Sequence, residues 1–245
     1  MKSELNKIAL ALLLVCFAPM SASANVFDNG TWNLAGGTGT FNYTLSYDDL
    51  LVIAGNPAQP APAERSGKFY DDAINITNFV VRNEGSGHYL NSELGQANAS
   101  FTFRFDFESK GYEATSVTIA DYLVMFNTAT SGATIKVEYR INDDSWQLLS
   151  SLTNAGTTQE LNHKATPWGV IDGVVISSFD YRVTSTGNVV YNYADQWGRA
   201  NNATTNPFSI TFDVVAVPVP EPASVVFLSG AGIFGIVLLR RKLRR

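Results

Sequence analysis

Four phenylalanines alternate with polar residues in Phe101-Thr102-Phe103-Arg104-Phe105-Asp106-Phe107. That period of two predicts a strand with one face in a core and the other in water. Similar runs occur at Phe41 to Tyr47, Ile74 to Arg82, Val117 to Phe126, Ile135 to Ile141, Val174 to Val183, Val189 to Tyr193 and Ile210 to Val217. Turn-forming stretches separate them: Asn83-Glu84-Gly85-Ser86-Gly87, Asn127 to Gly132, Asn142-Asp143-Asp144 and Ser185 to Asn188. No long amphipathic helix interrupts the cadence; Leu90 to Gln96 is read as one helical turn at most. The pattern predicts an all-β fold, a single antiparallel β-sandwich of jelly-roll-like form, over residues 25–217. Gly55 to Gly67, with Pro57, Pro60 and Pro62, and Gly156 to Gly169, with His163, Pro167 and Trp168, read as two long loops.

Both ends depart from this pattern. Lys2 and Lys7 precede an unbroken apolar run from Ile8 to Phe17, and Ala22-Ser23-Ala24 follows with small residues. This is the layout of a signal peptide over residues 1–24, with Ala22 and Ala24 as the signal peptidase site. Ten apolar residues are too few to span a bilayer, which takes roughly 20. A lipoprotein signal wants a small residue directly before its cysteine, and Val15 before Cys16 is not small. Cys16 is the chain's one cysteine, so removal of the leader leaves no disulfide, thiolate ligand or cysteine nucleophile.

The C-terminal 29 residues contain three elements in order. Val217-Pro218-Val219-Pro220-Glu221-Pro222 is proline-rich and favours an extended backbone. Val225 to Leu239 carries no charge and includes Gly230, Gly232 and Gly235; as a transmembrane helix it would span about 22 Å, short of a roughly 30 Å hydrocarbon core. Residues 240–245 form a basic tail, Arg240-Arg241-Lys242-Leu243-Arg244-Arg245, which favours the cytoplasmic side. The folded middle is then expected on the opposite side, in agreement with the leader.

This segment, residues 218–245, resembles the PEP-CTERM sorting signal: Pro220-Glu221-Pro222 matches its tripeptide, and Val219 and Ala223-Ser224 match its flanks. The resemblance implies recognition by an exosortase, a membrane-embedded cysteine transpeptidase-like enzyme, with cleavage near Val219, Pro220, Glu221 and Pro222. It implies passage through the secretion translocon, signal peptidase processing, a transient stay in the inner membrane with the ectodomain periplasmic, and then the cell surface or extracellular matrix. Bearers of this signal typically come from bacteria that make exopolysaccharide and biofilm.

Charge sharpens the picture of the middle. Residues 25–217 hold 10 basic and 20 acidic residues, which argues against a nucleic-acid partner, since that needs clustered Lys and Arg. Aromatic residues make up 12% of the chain and charged residues 16%, a composition that folds rather than staying disordered.

Candidate chemistry is sparse. His88 and His163 lie in turn-like segments 75 residues apart, without metal-ligand spacing, and no metal site is assigned. Loop carboxylates and carbonyls are calcium ligand types, but no EF-hand-like spacing supports a structural calcium, and no cofactor is expected. The acid pairs Asp48-Asp49, Asp71-Asp72 and Asp143-Asp144 are read as turn or solvated residues rather than facing glycosidase carboxylates. No nucleophile elbow or phosphate loop is present, so the expectation is no enzyme. Trp32, Trp146, Trp168 and Trp197, with Tyr89, Tyr191 and Tyr193, lie in or near loops. Sugar faces stack on such rings, and Trp168 and Trp197, each beside a glycine, are the candidate carbohydrate-binding residues; the alternative for all is capping the core. Ile135 to Gln147 reads strand, acidic turn, Trp146, strand, and resembles a hairpin of galactose-binding-like jelly rolls; as a plain hairpin it places Asp in the turn and buries Trp146.

Four functions remain open at this stage. They are a noncatalytic surface or matrix protein associated with exopolysaccharide, a carbohydrate-binding module, a secreted hydrolase of polysaccharide, and a permanently anchored periplasmic protein.

Overall fold

Alternation along the chain becomes fourteen strands among the described residues. These residues, in a computed structural model of the chain, are 25–46, 49, 65–84, 87–92, 98–125, 132–157, 159–162, 168–187 and 208–217. The strands are β1 (Thr31–Ala35), β2 (Thr38–Leu45), β3 (Ala73–Thr77), β4 (Phe79–Glu84), β5 (Gly87–Ser92), β6 (Asn98–Asp106), β7 (Tyr112–Ala120), β8 (Tyr122–Met125), β9 (Thr134–Ile141), β10 (Gln147–Thr153), β11 (Gln159–Asn162), β12 (Trp168–Ile176), β13 (Ser178–Thr186) and β14 (Phe208–Ala216). One short helix, α1 (Lys68–Asp72), leads into β3.

Ten of these strands form an antiparallel sandwich. One sheet has the order β1-β2-β14-β7-β12 and the other β10-β9-β13-β6-β3. Strands β4 and β5, and β8 and β11, form two separate two-stranded ladders. The inward positions of both sheets are aromatic. Phe41, Tyr43, Phe208 and Phe212 of the first sheet meet Phe103, Phe105, Phe179 and Tyr181 of the second; Phe105 and Phe212, for example, have ring centroids 5.0 Å apart. Phe101, Phe103, Phe105 and Phe107 are all fully buried, as their alternation predicts. Burying a ring of this size stabilises by about 1.5–3 kcal/mol, and tilted or edge-on ring pairs add to it.

Several expected single strands are broken where the chain changes sheet or ladder. The run Val174 to Val183 splits at Ser177: β12 belongs to the first sheet and β13 to the second. The Ser177 carbonyl accepts from the Phe107 and Glu108 amides, so this corner ties onto the bend that follows β6. The run Ile74 to Arg82 breaks at Asn78, which adopts φ 53°, a left-handed conformation that Asn tolerates. Leu90 lies in β5, not in a helical turn, because Val81 and Leu90 are paired across the β4–β5 hairpin. The Gly156 to Gly169 loop is shorter than expected, since β11 and the start of β12 lie within it. His88 stands opposite Asn83 in a hairpin strand, not in a turn. Val189 to Tyr193, residues 55–64 and residues 163–167 lie outside the described residues.

Candidate functional site

Beyond the core, a network of ion pairs covers the outer face of the second sheet. The same alternation that buries Phe103, Tyr181 and Val137 turns Arg104 of β6, Asp180 and Arg182 of β13, and Glu138 and Arg140 of β9 outward. The register sets them side by side: Arg104 pairs with Asp180, Asp180 with Arg140, and Arg182 with Glu138. Asp180 is 2% exposed, and its Oδ2 accepts from Arg140 Nε at 2.5 Å and Arg104 Nη1 at 3.4 Å. Its Oδ1 has no hydrogen-bond partner among the described residues. Burial pushes the Asp180 carboxyl above its usual range, and the two guanidiniums oppose that shift. Glu138 Oε2 accepts from Arg182 Nη2 at 2.9 Å, Arg182 Nε at 3.1 Å and the Thr184 hydroxyl at 3.3 Å.

The β9–β10 hairpin closes one side of this face. Asn142 and Asp143 take φ 51° and 60° in its turn. Asp143 accepts a two-pronged bond from Arg104, at 2.8 and 2.9 Å, which holds its carboxyl below the usual range and raises the Arg104 guanidinium. Asn142 stitches the turn to the sheet-crossing corner. Its side-chain oxygen accepts from the Ser177 amide (2.8 Å), the Ser177 hydroxyl (2.9 Å) and the Ser178 amide (3.1 Å), while its Nδ2 donates to the Val175 carbonyl at 2.9 Å.

Trp146 follows the turn. The pairing of Gln147 with Tyr139 places it across from Arg140 on the outer face. Its ring lies over the guanidinium carbons of Arg182, 3.7 Å from the centroid, and Arg140, at 4.8 Å. Trp146 is therefore half-buried on the charged face, not buried in the core as the plain hairpin reading has it. The correction has a simple cause. Outward parity at this position is fixed by Tyr139, which turns inward to stack on Phe179. The hairpin itself is present as expected.

The other expected residues fall as follows. Trp168 opens β12, paired with Ile119, and its side chain lies outside what the structure describes. Trp197, Tyr191, Tyr193, His163, the leader with Ala22 and Ala24, and the tail with Val219, Pro220, Glu221 and Pro222 also lie outside the described residues. Trp32 caps the core: its ring packs on Phe27, Phe41, Phe107 and Tyr112. Beside it is an open groove of about 280 Å³ lined by Phe27, Asp28, Trp32, Leu34, Lys110 and Tyr112.

The acid pairs divide. Asp143 lies in a turn, as expected, but Asp72 is fully buried rather than solvated. The last turn of α1 rotates Asp72 inward, away from exposed Asp71, where it accepts from the Tyr43 hydroxyl at 2.9 Å and Asn29 Nδ2 at 2.7 Å. A second buried pair repeats the device, with the Tyr181 hydroxyl donating to Asp121 at 2.9 Å. Among the described residues, no group of three His, Cys, Asp or Glu side chains is placed to hold a metal ion, and no helix is long and apolar enough to cross a membrane. Segment 225–239 is not among those residues.

These features define an all-β sandwich ending in a short C-terminal extension. The first sheet ends at β14, where the Ala216 and Val217 amides donate to Gly37 and Gly111. The PEP-CTERM protein-sorting motif begins at the next residue: the model of that family matches residues 218–242. The motif implies an exported, exosortase-sorted protein of the cell envelope. No curated protein matches the chain. Among solved structures, the sandwich is distantly similar to TmCBM61 in complex with β-1,4-galactotriose, at 11% identity over 55% of this chain and 72% of that one, with a TM-score of 0.25. It is also similar to a carbohydrate-binding module of family 22 from Clostridium thermocellum Xyn10B, at 10% identity over 61% and 87%, TM-score 0.29. A third is the C-terminal domain of a chitobiase from Bacteroides fragilis, at 8% identity over 71% and 99%, TM-score 0.25. At TM-scores this low the resemblances carry no functional weight.

Proposed function

We propose that this chain is a noncatalytic cell-surface or matrix protein, exported, then sorted and cleaved by an exosortase, and associated with exopolysaccharide in a biofilm. The observation that supports it most is the sorting motif at residues 218–242, which follows the last strand of the first sheet without an intervening domain. A folded sandwich directly before the motif would present a short, proline-stiffened segment to a membrane enzyme. The noncatalytic reading is supported by how the buried acids are used. Asp72 serves Tyr43 and Asn29, Asp121 serves Tyr181, and Asp180 serves two arginines of the sheet face.

Fractionation of producing cells, with and without exosortase, tests the reading. The protein should co-fractionate with extracellular polysaccharide from normal cells and stay in the membrane fraction without exosortase. An unchanged distribution in the two strains overturns sorting. Release as a free protein that never co-fractionates with polysaccharide overturns the association.

A further inference from the structure

We infer that the outer face of the second sheet, around Trp146, is a saccharide-binding surface that takes a neutral pyranose polymer. This rests on the reading of the chain as a polysaccharide-associated exported protein, and it names the face and the ligand class.

The first support is the ring. Arg140 and Arg182 approach Trp146 from the sheet, one from β9 and one from β13, and fix the indole over the strands before any ligand arrives. The indole is half-buried, and no aromatic side chain among the described residues stacks on it. A ring so held loses little freedom when a sugar stacks on it, which favours binding. The C–H-rich face of a pyranose is an apolar surface of matching size. Leu148, 59% exposed two residues further along β10, pairs with Glu138 and extends the apolar strip on the same face.

The second support is the charge balance. Arg104, Lys136, Arg140 and Arg182 stand against Asp106, Glu138, Asp143 and Asp180, four cations against four anions, and the three arginines are each bonded to an acid of the cluster. Such a face offers no net attraction to a charged polymer. It presents many donors and acceptors of both kinds at fixed positions, which suits hydroxyls, each both a donor and an acceptor. Asp180 Oδ1, buried within this cluster, has no hydrogen-bond partner among the described residues.

The test uses the exported protein purified from the producing cells, in native affinity electrophoresis. The probes are the neutral and acidic fractions of those cells' exopolysaccharide, separated by anion exchange. The wild type should be retarded by the neutral fraction. Trp146→Ala should weaken binding at least about tenfold, or about 1.4 kcal/mol, and Trp146→Phe less, since the smaller ring keeps part of the stacking surface. Leu148→Asp sits at an exposed position, leaves the core intact and should also weaken binding several-fold, so the result stands even if Trp146→Ala fails to fold. Undiminished binding by Trp146→Phe and Leu148→Asp overturns this face but leaves the polysaccharide association standing. Retardation by the acidic fraction alone overturns the neutral ligand. Retardation by neither fraction overturns both this inference and the association it rests on.

Discussion

Tyr43→Phe removes one hydroxyl from the interior and nothing else. Tyr43 and Asp72 are both fully buried, and the hydroxyl donates to Asp72 Oδ2 at 2.9 Å. The aromatic contacts of Tyr43 with Phe103, Phe105 and Phe208 are available to Phe as well. Burial pushes the Asp72 carboxyl above its usual range, while bonds from Asn29 and Tyr43 and the nearby Lys68 ammonium pull it back. The sign follows from linkage. The folded chain holds this proton more tightly than the unfolded chain does. The stability Asp72 contributes is therefore greatest below the ordinary carboxylate range and declines as pH rises through its raised value. Removing the Tyr43 hydroxyl raises that value further and deepens the decline. At neutral pH the variant loses a hydrogen bond to an ionised, buried partner, about 1.5–3 kcal/mol; below the titration the partner is a neutral acid and the loss is about 0.5–1.5 kcal/mol. For a domain of this size each kcal/mol moves Tm by roughly 2–4 °C, so the neutral-pH shift should be roughly 3–12 °C. Thermal melts of both proteins at neutral pH and at about pH 4 measure it. An equal Tm loss at the two pH values, or a neutral-pH loss below about 0.5 kcal/mol, would refute the reasoning.

Three further substitutions probe the frame. Asn142→Ala forfeits four hydrogen bonds to the 175–178 corner and a left-handed turn position, and urea unfolding should show a loss of about 2–3 kcal/mol. Gly39→Ala places a Cβ onto the backbone carbonyl of Asn33 on the neighbouring edge strand, and should cost about 1–3 kcal/mol in the same assay. Asp143→Asn breaks the paired bond from Arg104 at a position 55% exposed, so the cost should stay under about 1 kcal/mol. Because Arg104 holds the Asp143 carboxyl below its usual range, that stabilisation is present above the ordinary carboxylate range. It should fade as pH falls through the depressed value, and pH-dependent melts of the two proteins should converge in acid.

The sandwich was legible in the sequence because its core is built by alternation. Phe101 to Phe107 announces both a strand and the face that strand buries, and Ile135 to Ile141 and Ile210 to Val217 do the same. The strand breaks were not legible. Ser177 and Asp121 interrupt apolar runs without Gly or Pro, and what turns the chain there is tertiary: the Phe107 and Glu108 amides at one corner. Asp72 illustrates the same limit. Beside Asp71 it reads as a surface pair, and only Tyr43, 29 residues away, reveals it as a buried acceptor. The charged face was half legible. Lys136, Glu138 and Arg140, and Asp180 and Arg182, alternate with apolar residues in their own strands. Their mutual contacts span 40 to 44 residues of sequence, and those of Arg104 with Asp143 and Asp180 span 39 and 76; all depend on strand order. Trp146 was visible as a hairpin residue, but its seat on two arginines needed the register between β9, β10 and β13. Trp168 and Trp197 stand out in the sequence by their glycine neighbours, a local feature that says nothing about which face a ring occupies.

The central claim is that the chain is handed to an exosortase through residues 218–242. Mass spectrometry of the C-terminus of the protein, isolated from cells with and without exosortase, tests it most directly. The account predicts that cells with the enzyme yield a chain ending near Pro220-Glu221-Pro222, without the basic tail, and that cells lacking it yield a chain that keeps the tail. A chain still ending at Arg245 in cells with active exosortase would contradict it.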